Sequence, residues 1–306
     1  MDNKSSTEHI ANDEVRYYYD RVFQKVSKEI RKKYNDGEYK YLGQEGMWIS
    51  LIIFDKFKIQ FYSAMSLAYR CTQNPLNQYE YIDIASIETI IRACYETFLT
   101  FQYIYMQPEF IGEKKVDILN SDENEYSKRL KLKILLYQYE GYKQSYYGFS
   151  TVPEKKEVSK ELRDKYKKQI MKDEIFNKLN SQEQESVLKN WRPSWNKIAS
   201  QTELSEWNSK NMYNIISQYC HNSYTMLLTL NHHYTHLDEF DRDSMFVQLF
   251  EFTAILINNY IRLFHIDHAI FEQDEINLLS EFYTLAQKNP TDKIQKYINS
   301  SKTVNL

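Results

Sequence analysis

The sequence is poor in the residues that break or sharply turn a chain. Only 6 glycines and 5 prolines occur in 306 residues, and no glycine lies beyond Gly148. That scarcity removes Gly-rich phosphate loops, glycine-dependent tight turns and most β-hairpins from the C-terminal half. Neither GxGxxG nor GxxxxGK[ST] is present. The three cysteines, Cys71, Cys94 and Cys220, are widely spaced, each in an apolar stretch, and form no CxxC. Their pattern excludes a zinc finger and suits reduced core thiols. An excess of one charge is also lacking: 39 Lys+Arg against 42 Asp+Glu leave a net charge of -3. No global positive field therefore recruits nucleic acid or an anionic membrane. Long apolar runs are missing as well. The densest, MWISLIIF from Met47 to Phe54, stops at Asp55 and Lys56, well short of a bilayer span. The opening MDNKSSTEHIANDEV is polar and lacks the apolar core of a signal peptide. A cytoplasmic protein without a membrane segment is expected.

What the sequence does contain is helical periodicity. Pro75, Pro108, Pro153, Pro193 and Pro290 all fall between helical-period segments. The spacing predicts helices over about 10–34, 46–72, 81–106, 122–146, 155–175, 181–190, 204–237, 242–270, 274–288 and 291–300. The expected fold is an all-α bundle of about ten helices. Its parts are an N-terminal helix and linker (1–45), a main bundle (46–270) with a charged helical excursion over about 110–190, and C-terminal helices (271–306). In the third helix Ile84, Ile87, Ile91, Cys94, Phe98 and Phe101 alternate steps of three and four, giving one apolar seam. The seventh repeats the pattern with Ile216, Tyr219, Leu227, Leu230, Tyr234 and Leu237. The run KKEVSKELRDKYKKQIMKDE, Lys155 to Glu174, mixes signs and reads as a solvated helix face. The 27 tyrosines and Lys/Asn/Ile-rich usage suit an AT-rich bacterial genome.

A few polar positions interrupt the apolar patterns. At about 100° per residue, Arg92 and Glu96 lie nearly opposite the seam of the third helix, among Ala85, Thr89, Ala93 and Thr100. Small neighbours let another helix approach, so a second buried face is expected there. Glu88, Arg92 and Glu96 stand at i, i+4 and i+8, a spacing at which one guanidinium reaches two carboxylates. The plainer reading is a surface ladder or structural ion pair. His221 lies off the main seam of its helix, on the side of Asn214, Ser217, Thr225 and His232. Facing Arg92 and Glu96, its imidazole would exchange a proton with a ligand; otherwise it is a hydrogen-bonded core histidine.

Six of the seven histidines lie between His221 and His268. His232 and His236 have the i, i+4 spacing of a helical metal pair, with Asp238 or Asp241 to add oxygen. No glutamate follows His232 as in HExxH, and His221 is about 16 Å away along a helix, so an exposed helix end is the plainer reading. In RLFHIDH, Arg262 precedes His268 by six residues. Such a pair suits phosphate binding with histidine assisting 2′-hydroxyl attack, which is metal-independent RNA cleavage; a cation-capped helix end is the alternative. No GxSxG, nucleophilic cysteine context or acidic two-metal cluster is present. No cofactor is called for.

Taken together, Arg92-Ala93-Cys94-Tyr95-Glu96, then Trp191 and Trp195, then Tyr213 through Ser217 to His221 give R-A-x-x-E, a tryptophan stretch and Y-x-x-x-S-x-x-x-H. In this the chain resembles, over roughly 45–265, a group of bacterial all-helical proteins of uncharacterised function. That group is similar in layout to the HEPN superfamily, whose members serve as nucleotide-binding partners or as ribonucleases in toxin and antiviral systems. The resemblance implies an HEPN-like core and an interaction or sensing role in a bacterial defence or toxin system, with a partner protein or a second copy of the chain. The superfamily's ribonuclease motif, an Arg, a polar residue and then a His, implies Arg262 and His268 as the alternative site and RNA as its substrate, with Leu263 standing at the polar position.

Overall fold

The computed structural model describes residues 4–68, 72–73, 80–81, 83–107, 123–148, 152–218 and 239–289. Among them the protein is all-α, with eleven α-helices: α1 (Lys4–Asn35), α2 (Gly43–Ala68), α3 (Ile84–Phe101), α4 (Glu123–Gly148), α5 (Pro153–Ile170), α6 (Glu174–Lys178), α7 (Ser181–Lys189), α8 (Trp195–Ala199), α9 (Glu206–Gln218), α10 (Glu239–Phe264) and α11 (Gln273–Ala286). Short 3-10 turns cover Lys40–Leu42 and His268–Ile270, and α3 runs on into one π turn, Gln102–Met106. The strand pairing in the described residues is two residues long on each side, β1 (Thr72–Gln73) against β2 (Glu80–Tyr81). No helix among the described residues is long and apolar enough to cross a membrane.

The helix boundaries follow from local hydrogen bonding. Asp83 starts α3: its carboxylate accepts the Ser86 amide (3.1 Å) and the Ser86 hydroxyl (2.6 Å), which satisfies a donor the first turn leaves orphaned. The expected helix over about 155–175 stops at Ile170, because Asp173 caps a separate α6 by accepting the Ile175 and Phe176 amides. Asn180 and Glu183 form a reciprocal capping box at α7. The helix expected over about 242–270 ends at Phe264. His265 there has φ 47, and the Ile266 amide donates back to the Ile261 carbonyl at 2.9 Å; a left-handed residue with this six-to-one bond closes a helix. The predicted helix over about 291–300 and the part of the 204–237 helix beyond Gln218 lie outside the described residues.

The chain forms two compact units. The first draws on Met1–Lys33, Leu51–Thr100 and Trp195–Leu306. Its core is aromatic: Tyr19 stacks on Phe250 (5.4 Å), Phe23 meets Phe61 edge-on (5.1 Å), Phe54 meets Tyr260 (4.6 Å) and Phe98 stacks on Phe252 (5.8 Å). Such pairs add directional energy to the burial of large rings. The Tyr19 hydroxyl enters this core because it donates to the Phe250 carbonyl at 2.8 Å. At one edge the buried Glu275 carboxylate receives Arg21 (3.0 Å) and Lys25 (2.7 Å) from α1.

The second unit draws on Tyr34–Ser50 and Phe101–Ser194. Here Leu132, Leu135, Leu136 and Tyr139 of α4 pack with Ile170, Ile175, Phe176 and Val187. Trp191 belongs to this unit, its ring 5.6 Å from Tyr103 and 5.0 Å from Tyr137. The π turn is closed by the Gln107 amide donating to the Gln102 carbonyl (3.0 Å). The freed carbonyls are met by Lys133, which is 1% exposed. Its ammonium donates to the Tyr103 carbonyl at 2.7 Å and to the Gln107 carbonyl, and lies 4.4 Å from the Tyr103 ring centre. A buried lysine is costly unless it is hydrogen-bonded in this way, so Lys133→Met should leave two carbonyls without their donor. We expect a loss of roughly 2–4 kcal/mol, read as a lower urea midpoint; an unchanged midpoint would mean that water serves those carbonyls equally well.

Candidate functional site

The site candidates on α3 lie at the border of its buried arc. Glu88, Tyr95 and Leu99 face inward, Thr89 faces solvent, and Arg92 and Glu96 stand between them with 24% and 34% of their side chains exposed. The face expected to be a second buried one is therefore half-open. Arg92 Nε donates to Glu96 Oε1 at 3.1 Å, as the i, i+4 spacing requires. Tyr213 of α9 completes the arrangement. Arg92 Nη2 donates to the Tyr213 hydroxyl at 3.0 Å, and that hydroxyl donates to Glu96 Oε1 at 3.2 Å. The guanidinium carbon also sits 5.4 Å from the Tyr213 ring centre, within cation–π range. Three side chains from segments more than a hundred residues apart thus form a closed ring of hydrogen bonds. Burial, and after it the Glu96 charge, push the Tyr213 phenol above its usual range.

The two-carboxylate bridge suggested by the i, i+4, i+8 spacing does not form. Arg92 is bonded to Glu96, whereas Glu88 is 2% exposed and its Oε2 has no hydrogen-bond partner. Desolvation alone pushes its carboxyl from the usual 4.5 up to about 8, so Glu88 is mainly neutral at pH 7. Tyr95, seven residues on and also inward, has a buried hydroxyl without a partner.

Of the other candidates, His221, His232, His236 and Asp238, with the side chain of Asp241, lie outside the described residues. Among the described residues no group of three His, Cys, Asp or Glu side chains is disposed to hold a metal ion. Arg262 is on the last turn of α10, where its Nη1 lies 3.5 Å from both Glu203 Oε1 and Asn259 Oδ1. His268 is exposed, in the 3-10 turn beyond the left-handed His265, with its ring 6.5 Å from that of Phe271. The helix end at Phe264 therefore separates Arg262 and His268 into different elements. Cys94 is buried, and desolvation pushes its thiol up, away from nucleophilic use. Trp191 packs in the second unit's core, and Trp195 begins α8 in the first.

Tyr213 is the site residue that reasoning from residue type passed over, since tyrosines are abundant throughout this chain. Its signal was positional, as the first residue of Y-x-x-x-S-x-x-x-H. No protein-family model, curated protein or solved structure matches this chain.

Glu88 gives the site a pH dependence with a definite sign. Its folded-state value is raised, so the folded protein holds a proton that the unfolded chain releases. Stability on this account is full below about pH 4.5 and is lost as pH rises to about 8. Glu88→Gln removes that slope. In thermal melts it should exceed the wild type at pH 8 by on the order of a few kcal/mol, with the gap closing toward pH 5; parallel profiles would refute the assignment.

Proposed function

We propose that the protein is a cytoplasmic interaction or sensing component of a bacterial defence or toxin-type system, HEPN-like in layout, with the Arg92, Glu96 and Tyr213 cluster as its recognition surface. The observation that carries this reading is the closed, half-exposed ring of hydrogen bonds between α3 and α9. A guanidinium held by a carboxylate and a phenol from two helices is preorganised to recognise a partner group. The same ring supplies no activated nucleophile, because Tyr213 is pushed away from ionisation. His221 keeps its place in this reading as the group that exchanges a proton with whatever Arg92 holds. The defence setting rests on the resemblance carried by Arg92, Glu96, Tyr213, Ser217 and His221. A protein partner or a second copy of the chain is the expected ligand.

Ribonuclease action through Arg262 and His268 is the competing reading, and their separation by the end of α10, with Arg262 beside Glu203, favours recognition instead. Incubation with total bacterial RNA and tRNA in EDTA separates the two. The wild type is expected to leave both intact. Cleavage that disappears in His268→Ala would replace the proposal with a metal-independent ribonuclease, and cleavage that disappears only in His221→Ala would make the Arg92 cluster catalytic. In bacterial lawns, expression of the wild type is expected to lower phage plaquing or slow growth. Arg92→Ala, with its helical content unchanged, is expected to lose that effect; equal effects of the two forms would remove the cluster from the function.

A further inference from the structure

In the first unit α1 and α2 run side by side in opposite directions, and side-chain contacts fix their register. Arg31 pairs with Asp55, Lys58 Nζ reaches Ser27 Oγ at 3.5 Å, and the Tyr62 hydroxyl donates to Asp20. At about 100° per residue, Tyr17, Lys28 and Arg31 lie on the outer side of this seam on α1, and Ile52, Lys56 and Ile59 on α2. Three of these are large apolar groups left in water: Tyr17 is 57% exposed, Ile52 45% and Ile59 63%. A single exposed isoleucine is ordinary, whereas apolar groups that share one face mark an interaction surface.

The charge of this face is in excess on one side. Among the described side chains, Arg16, Lys28, Arg31, Lys56 and Lys58 stand against Asp20 and Asp55. Arg16 belongs with them because its charge acts on the Tyr62 phenol. Both carboxylates are occupied already, Asp55 by Arg31 and Lys58 (3.3 Å) and Asp20 by Tyr62 and Gln24 (2.9 Å). Glu29 falls on the opposite side of α1, and Glu275 is held by Arg21 and Lys25. Lys28 on α1 and Lys56 on α2 are exposed and flank the Ile52 and Ile59 stripe from its two sides.

We infer that this face docks an acidic amphipathic helix of a partner protein, its apolar side chains on Ile52, Ile59 and Tyr17 and its carboxylates toward Lys28 and Lys56. Ile52 and Ile59 are two helical turns apart, about 10 Å, the spacing at which a docked helix presents its i and i+7 anchors. A protein segment suits the face better than a lipid surface, because Asp20 and Asp55 then keep polar surroundings instead of entering acyl chains. The surface does not involve the Arg92 cluster and stands or falls without it.

Fluorescence anisotropy with labelled synthetic helical peptides tests the assignment. Two peptides carry leucine at i, i+3, i+7 and i+10; one has glutamate at the flanking positions and the other lysine. The glutamate peptide should bind at least about tenfold more tightly than the lysine peptide, and by a similar factor more tightly than its own leucine-to-serine version. Ile52→Ala/Ile59→Ala and Lys28→Gln/Lys56→Gln should each weaken it at least about tenfold, with unchanged helical content because all four side chains are exposed. Arg92→Ala should bind it like the wild type. No binding of the glutamate peptide, equal binding of either control peptide, or equal binding by either double variant would overturn the proposal. Flotation of the protein with phosphatidylcholine–phosphatidylserine vesicles, lost in Ile52→Ala/Ile59→Ala, would give the face to a membrane and overturn it as well.

Discussion

The larger unit is governed by a helix that is buried on every side over residues 249–257. From Phe246 to Phe264, α10 buries Leu249, Phe250, Phe252, Ala254, Ile255, Leu256, Ile257 and Tyr260, residues that point in every direction around its axis. A helix of this kind has to be surrounded, and the aromatic contacts show what surrounds it. Tyr19 of α1 lies on Phe250, Phe54 of α2 on Tyr260, and Tyr95 and Phe98 of α3 on Phe252. Two of the buried polar groups on α10, Thr253 and Glu251, are tied down. Thr253 donates to the Leu249 carbonyl, and Glu251 accepts from Asn208 of α9, which also donates to the Ala286 carbonyl at the end of α11. Covering α10 thus fixes α9 and α3 in place, and with them Tyr213, Arg92 and Glu96.

This origin explains the character of the candidate site. Arg92 and Glu96 lie where α3 leaves the core, close enough to it to be held and open enough to be reached. One turn toward the core from Arg92, Glu88 shows what the interior does to a carboxylate without a cation: it holds the proton. The contrast with Glu275 is instructive. That carboxylate is equally buried, but Arg21 and Lys25 meet it, so its burial ties α1 to α11. Two glutamates of similar burial therefore differ in role according to whether a cation reaches them.

Much of this fold was legible in the sequence because its helices are long and its breakers few. The seam of α3 followed from spacing, and of the described prolines Pro153 opens α5 and Pro193 lies between α7 and α8. What escaped were the short pieces, α6 and α8, too brief to show a period, though Asp173 was a readable cap. The early end of α10 was also missed, since histidine is not the residue that usually announces a left-handed turn. At the site, the Arg92–Glu96 pair could be read from i, i+4 spacing. Its closure by Tyr213 could not, because the partner comes from a helix 121 residues away and periodicity carries no information about which helices meet.

The π turn after α3 limits how the second unit can change in length. A π turn holds one residue more than an α-helical turn, and here that residue is what brings the Tyr103 and Gln107 carbonyls within reach of a single ammonium on α4. Removing one residue between Phe101 and Gln107 would restore a regular helix, rotate all that follows by about 100°, and carry the carbonyls away from Lys133. Loops ordinarily absorb insertions and deletions without penalty. This buried segment counts its residues, and Lys133 is the group that checks the count.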